Sequence, residues 1–318
     1  MKGIISRVES KDYYVLSLPE HKEFRCYIKG KFKKEFNLKK DKLFQTDIAV
    51  VGDEVEFELN PDGSGIIFQI HQRKNYLSRK APKIRGSSFK GERLEQIVAS
   101  NIDQVFIVSS VSEPTFNNKT IDRFLVTCES SNLNCNIIIN KSDLDDGKIV
   151  SYWTSFYTKI GYFTLPTSTV SNQNIDVLEN IIQRKKSLFW GPSGVGKSSL
   201  LNKIYPHLNL KVSEISYSTM KGKHTTVTSR MFFMGDDTYI IDTPGVREIE
   251  PYGIKKEDLG HFFPDFRNFI NACRFNTCTH HHEPGCAVIK AVRDSLISEI
   301  RYESYLRILN TIEDDMNL

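Results

Sequence analysis

GPSGVGKSSL, residues 191–200, directly follows the apolar run KSLFW (186–190), and this junction decides the fold. The pattern G-x-x-x-x-G-K-[ST] is built to hold phosphate. Its glycines let successive backbone N–H groups curl around phosphate oxygens, and the helix that begins at the turn adds the positive end of its dipole. Gly191, Pro192, Ser193, Gly194, Val195 and Gly196 form the expected cradle, with Ser199 among the nucleotide contacts. Lys197 is expected to reach the β- and γ-phosphates and the Ser198 hydroxyl to ligate Mg²⁺. A strand, a glycine-rich loop and a helix in that order make this a P-loop rather than a chance match.

Two further motifs lie on either side. IIDTPG (240–245) reads as an apolar strand ending in D-x-x-G, placing Asp242 to hold Mg²⁺ through water and the Gly245 N–H to meet the γ-phosphate. NKSD (140–143) follows the strand CNIII. Asp143 can accept hydrogen bonds from guanine N1 and N2, Asn140 reads the opposite edge, and the Lys141 stem packs over the base. Ser142 completes the loop, and the PTS stretch ending at Ser168 is the expected second base loop. A carboxylate at this place selects GTP over ATP, because adenine offers the wrong donor pattern.

The order of these motifs is unusual. GTPases commonly run P-loop, D-x-x-G, N-K-x-D, whereas here the base-reading motif comes first. The chain therefore reads as a circular permutant, which is tolerable because the site lies at the C-terminal edges of parallel strands. Around the motifs, DQVFIVSSV, CNIIIN, YFTLPTS and KSLFW alternate with amphipathic stretches. One is 118–131, where Ile121, Phe124, Leu125 and Cys128 share a helical face. That alternation predicts an α/β, doubly wound, largely parallel sheet.

Residues 1–72 read as five short strands separated by turns such as Pro61-Asp62-Gly63, which suits an OB-like β-barrel. The formal net charge of +4 is ordinary, but its distribution is not. Residues 22–42 hold nine Lys/Arg against three Asp/Glu, and 73–93 hold eight against Glu92 alone, while 43–72 hold six acids and no base. Two basic runs so close together favour a polyanion partner. The second is expected to be an exposed linker, interrupted by Pro82, Gly86 and Gly91. The charged N-terminus and the lack of any long apolar stretch predict a cytoplasmic protein with no membrane contact.

The last 68 residues are aromatic, then rich in Cys and His, then helical from about Ala287 to Glu313. Cys273, Cys278 and Cys286 with one of His280, His281 or His282 suffice for a closed, structural tetrahedral Zn²⁺ site. Cys26, Cys128 and Cys135 are scattered and read as buried or incidental thiols. The organisation expected is thus a barrel (1–72), a basic linker (73–93), a permuted GTPase domain (94–250) and a zinc-binding helical domain (251–318).

With NKSD, GPSGVGKSSL, KGKHTT (221–226), DTPG and CRFNTCTHHHEPGC in hand, the chain resembles the bacterial ribosome-small-subunit-dependent GTPase A (RsgA/YjeQ) family over essentially its whole length. The resemblance implies a monomeric factor that binds the 30S subunit through its 16S rRNA late in assembly and hydrolyses GTP to GDP when stimulated by it. It also implies Zn²⁺ on Cys273, Cys278, His280 and Cys286, and Mg²⁺ with the nucleotide on Ser198 and Asp242. In KGKHTT it points to Thr225 or Thr226 as the switch threonine, without choosing between them. Val246 follows D-x-x-G where many GTPases keep a water-positioning glutamine, and the resemblance points to His224 for that task. From residues alone, two rivals stay open: an RNA-binding switch with negligible turnover, and a GTPase acting on the large subunit or on tRNA.

Overall fold

A computed structural model describes residues 1–30, 47–80, 95–210, 229–243 and 251–312. The N-terminal strands β1 (Lys2–Glu9), β2 (Asp12–Leu18), β3 (Glu23–Ile28), β4 (Glu54–Leu59) and β5 (Gly65–Ile70) pair in the order β1-β2-β3-β5-β4. β4 returns to β1 and closes a five-stranded barrel, with β3 and β5 parallel and the other pairs antiparallel. Alternate residues fill it: Ile5, Val15, Cys26, Val55, Phe57 and Ile67 are all buried. The filling is tight, because a Cβ on Gly65 would stand 2.5 Å from Cys26 Sγ. Burial pushes the Cys26 thiol up to about 12, so it is a packing residue and not a reactive one.

β6 (Tyr76–Lys80) and β7 (Glu95–Ser100) form a separate two-stranded sheet. This corrects the expectation of an exposed linker at 73–93: Leu77 is fully buried, and its strand pairs with β7. The rest of that basic run, from 81, lies outside the described residues. A buried carboxylate anchors the join. Asp53 accepts from Arg73 at 2.7 and 2.8 Å, from the Ser100 hydroxyl at 2.6 Å and from the Val50 N–H at 2.9 Å.

The second unit runs β8 (Gln104–Ser110), α1 (Asn118–Ser130), β9 (Cys135–Asn140), α2 (Lys148–Ile160), β10 (Phe163–Pro166), α3 (Ile175–Ile182), β11 (Lys186–Trp190), α4 (Lys197–Ile204), β12 (Arg230–Gly235) and β13 (Thr238–Asp242). Five strands lie parallel in the order β10-β9-β8-β11-β13, with β12 antiparallel beside β13. The strands are apolar on both faces, as a doubly wound sheet requires. Ile107, Ile137, Leu188 and Ile241 meet Phe124, Leu125 and Cys128 of α1 on one side. Phe106, Ile138, Phe189 and Ile240 meet Leu178 of α3 and Leu200 of α4 on the other. β12 was not legible in the sequence, and it is the strand that joins the two units. It pairs with β1 through Arg7 and Arg230, so barrel and core share one eleven-stranded sheet. The His21 ring stacks flat on Phe233 at 3.5 Å and lies 2.8 Å from the Tyr239 hydroxyl, and Lys186 pairs with Glu54 at 3.0 Å.

The C-terminal region holds α5 (Arg267–Ile270), α6 (Ala287–Arg293) and α7 (Glu299–Leu309). The region expected to be helical from about Ala287 to Glu313 holds two helices with a break between them, and Glu313 lies outside the described residues. Ser295 takes a left-handed conformation (φ 56°), and the N–H groups of Leu296 and Ile297 both turn back to the Ala291 carbonyl. The break lets Ile297 enter the core formed by Phe263, Phe266, Val288 and Tyr305.

This region docks on α1. Arg301 of α7 is fully buried and donates to Asp122 of α1, also fully buried, and to Asp265 at 3.2 Å. The Tyr157 hydroxyl donates to the same Asp122 oxygen at 2.9 Å, and Phe263 lies under the guanidinium at 4.5 Å. Removing one partner of such a pair strands a buried charge, at a cost of about 3–5 kcal/mol, whereas replacing both by apolar groups is often neutral. Arg301→Ala is therefore expected to lower stability in urea denaturation by about that amount, and Asp122→Leu with Arg301→Met to recover only part of it, because Asp265 also loses its partner. Equal stability of Arg301→Ala and the parent protein would show that the pair does not hold the interface.

Candidate functional site

Because five strands run parallel, their carboxyl ends gather along one edge. Asn140 ends β9 beside Ser110 of β8, and Pro166 ends β10 beside Ile139. Asp242 ends β13 beside Phe189, two residues before Gly191. The three sequence motifs thus meet at this edge despite their permuted order, which affects only the connections.

The P-loop lies close against the sheet. A Cβ on Gly191 would stand 2.1 Å from the Val108 carbonyl oxygen, so only glycine lets the chain leave β11 here. Gly194 and Gly196 take left-handed φ values of 83° and 93°, and Val195 between them is buried in the core. Pro192, Ser193, Ser198 and Ser199 follow the same loop into α4. Lys197 folds back over it, its ammonium donating to the carbonyls of Gly191 at 2.7 Å and Pro192 at 2.9 Å. Burial holds Lys197 below its ordinary value, opposed by the charge of Asp242. Burial likewise raises Asp242, opposed by Lys197 and the Thr243 N–H. A half-buried ammonium held on loop carbonyls and a half-buried carboxylate near it suit a triphosphate and a divalent cation. Ser198 and Asp242 are the residues that would hold Mg²⁺, whose charge would stabilise negative charge on the phosphates.

The base loops are tied to the P-loop. The fully buried Asn140 amide donates to the Val195 carbonyl at 2.9 Å and accepts from the Thr167 hydroxyl at 3.1 Å. The Ser142 hydroxyl bonds Gln173 at 2.6 Å, and its N–H bonds the Thr167 carbonyl at 3.1 Å. The Ser168 hydroxyl donates to Asp143, and Lys141, in a left-handed conformation, donates to the Glu113 carbonyl. Asp143 and Ser168 are thus adjacent. Thr167 and Gln173 are positioning residues that sequence reading missed; Thr167 sits inside the PTS loop and was the recoverable one. His224, Thr225, Thr226 and Gly245 lie outside the described residues.

The second site is the Cys/His cluster. One ligand atom from each of Cys273, Cys278, His280 and Cys286 lies within 4.8 Å of the others. His280 Nδ1 is 3.5 Å from the sulfurs of Cys273 and Cys286, which are 3.9 Å apart. A tetrahedron with Zn–S bonds of about 2.3 Å has sulfur–sulfur edges of about 3.8 Å, so the donors fit zinc. His280, not His281 or His282, turns inward: it is buried and its neighbours are exposed. The loop is held from outside. Tyr302 and Tyr305 of α7 donate to the carbonyls of His280 at 2.8 Å and Thr279 at 2.6 Å. The Glu283 carboxylate accepts from the Thr279 N–H and hydroxyl and from the N–H groups of His281 and His282. Burial opposes its charge, but those hydrogen bonds outweigh burial and bring Glu283 down to about 2.

Comparisons with known proteins show what the whole chain is similar to. The family model described as RsgA GTPase matches residues 70–251, and that of the RsgA N-terminal domain matches residues 2–67. The small ribosomal subunit biogenesis GTPase RsgA of Bacteroides fragilis is 36% identical over 317 residues, covering 99% of this chain and 98% of the relative. That of Flavobacterium psychrophilum is 36% identical, covering 97% and 92%. Among solved structures, YjeQ from Thermotoga maritima superposes with a TM-score of 0.75 at 31% identity over 97% of both chains. YloQ, a circularly permuted GTPase, gives 0.70 at 30% identity over 100% of this chain and 96% of its own.

Protein purified without chelators is expected to carry one zinc per chain by elemental analysis, and Cys278→Ser to lose it and loosen the C-terminal region. Glu283 adds a pH dependence to the loop. Its contribution is complete above its unperturbed value of 4.5 and fades as pH falls toward 2. Glu283→Gln is expected to remove that contribution at pH 7. Zinc-free protein, or an acid-unfolding profile identical in Glu283→Gln, would count against this account.

Proposed function

The chain belongs to the RsgA GTPase family, whose members hydrolyse GTP, and on that premise we propose that it binds the small ribosomal subunit and assists its late maturation. It hydrolyses GTP to GDP and phosphate, with the subunit stimulating turnover. The observation that carries this reading is the meeting of Asn140–Asp143, Gly191–Ser199 and Asp242 on one sheet edge. We assign a barrel to 1–72, the permuted GTPase domain to 94–250 and the zinc-binding domain to 251–318.

Asp143, held by Ser168, accepts from guanine N1 and N2, and Lys141 covers the base. Lys197 exchanges its loop carbonyls for the β- and γ-phosphates, and the amides of the P-loop stabilise charge as water attacks in line. Val246 cannot orient that water, and we assign the task to His224, with Thr225 or Thr226 as the switch threonine. The partner surface is 16S rRNA, met by the barrel and the basic runs, and the protein acts as a monomer. Lys33, Lys34, Lys39 and Lys40 of the first run lie outside the described residues.

Asp143→Asn is expected to weaken GTP binding and shift preference toward xanthosine triphosphate, whose base carries an acceptor where guanine has its 2-amino donor. GTP affinity equal to that of the parent would remove NKSD from the site. Single-turnover hydrolysis is expected to accelerate with 30S subunits and not with 50S subunits. In His224→Ala, 30S binding should persist while stimulated turnover falls by about 10²–10³-fold, the loss expected when one group that stabilises or positions the reacting atoms is removed. Hydrolysis indifferent to 30S would sink the proposed partner.

A further inference from the structure

The chain leaves the carboxyl end of β8 and crosses residues 111–117 before α1 begins. Both ends of this crossing are fixed. At the first, the Val111 N–H donates to the Asn140 carbonyl at 3.0 Å, so the segment starts against the residue that opens NKSD. At the second, Phe116 stacks on Trp153 of α2 at 4.6 Å, and the Asn117 side chain accepts from the N–H groups of Lys119 and Thr120 at the head of α1. Glu113, Pro114 and Thr115 between them are exposed.

One buried hydroxyl sets the shape of the exposed part. Ser110, the last residue of β8, is fully buried, and its hydroxyl donates to the Pro114 carbonyl at 2.7 Å. The bond ties the chain back on itself, and Glu113 inside the turn is left-handed, with φ 52°. A residue with a side chain keeps that conformation only where its surroundings hold it. The turn brings the Glu113 carbonyl to the base loop, where it accepts from the Lys141 ammonium. The Lys141 stem passes the P-loop on the way: its Cε is 4.0 Å from where a Cβ on Gly196 would stand. Lys141 is therefore held at both ends, by its backbone in NKSD and by its ammonium on the 111–117 segment.

Lysine has a flexible four-carbon stem and loses rotamer freedom when it is fixed. A stem that must lie over a purine ring binds it more tightly when that ordering precedes the ligand. We propose that Ser110 is a positioning residue for guanine nucleotide binding: its hydroxyl shapes the turn so that the Glu113 carbonyl holds Lys141 in place for the base. This rests on the reading of Asn140–Asp143 as the base loop, and adds a residue that acts through Lys141 rather than on the nucleotide.

The test is a double-mutant cycle on the full-length protein, with the Kd of GDP and of inosine diphosphate measured by calorimetry in the parent, Ser110→Ala, Lys141→Met and the double variant. Lys141→Met keeps an apolar stem and removes the ammonium. Ser110→Ala is expected to weaken both nucleotides by the same factor, about fivefold, the worth of one hydrogen bond. In the Lys141→Met background it is expected to weaken them no further. Additive losses overturn the proposal, because Ser110 would then act without Lys141, and so does parent-like affinity of Ser110→Ala. Inosine lacks the 2-amino group that Asp143 reads, so a changed ratio between the two diphosphates would route the effect through Asp143 and overturns the proposal too. Nitrogen NMR of the parent with labelled lysine needs no folded Ser110→Ala: it is expected to show an ammonium protected from exchange that vanishes in Lys141→Met, and the lack of that signal overturns the anchoring. A parent that does not prefer GDP to ADP overturns the reading of the base loop instead.

Discussion

The nucleotide site depends on one buried amide. Asn140 donates to the P-loop carbonyl of Val195 and accepts from Thr167, so a single side chain joins the phosphate loop to both base loops. The P-loop is shaped to receive it: a Cβ on Gly196 would stand 2.3 Å from Asn140 Nδ2. Inside the protein, an amide with its partners in place is rigid, and one without them costs about 1–3 kcal/mol. The spacing between the NKSD loop and the P-loop is therefore set by the fold itself. This is the preorganisation that positioning catalysis requires.

The barrel is joined to this site by main-chain pairing and by side chains. β1 pairs with β2 and β4 inside the barrel and with β12 outside it, and β12 lies beside the strand that ends in Asp242. Added to this are the His21–Phe233 stack and the Lys186–Glu54 pair. A shift of the barrel must therefore bend the hairpin that leads to Asp242.

The C-terminal region with the Cys/His cluster is attached differently. Its contact with the core is polar at the centre, with Arg301 between Asp122 and Asp265, and Val126 of α1 joins its apolar core. Buried ion pairs contribute little net stability, but they penalise misdocking strongly. The same α7 that carries Arg301 also carries Tyr302 and Tyr305, which hold the loop of the metal ligands. One helix thus fixes both the docking and the cluster.

Much of this was legible in the residues. The P-loop follows a strand and opens a helix, and its chemistry is local, so ten residues sufficed to read it. The barrel strands are rich in Val, Ile, Phe and Tyr between turn signals, and the Cys/His cluster lies within 14 residues. β12 was missed because RMFFMG shows no clean alternation, and because its turn uses Asp236 and Asp237 at positive φ where glycine is the usual signal. β6 was hidden in a basic run with only Leu77 and Ser78 buried. The helix break at Ser295 followed from burying Ile297, a demand made by distant residues. Sequence alone determined the GTPase family, the barrel strands and the Cys/His cluster, since each is written in neighbouring residues. Tertiary structure alone decided that Arg301 would find Asp122, 179 positions away, and that Arg230 would face Arg7 across the seam. Such pairings depend on which surfaces are buried together, and no local pattern carries that information.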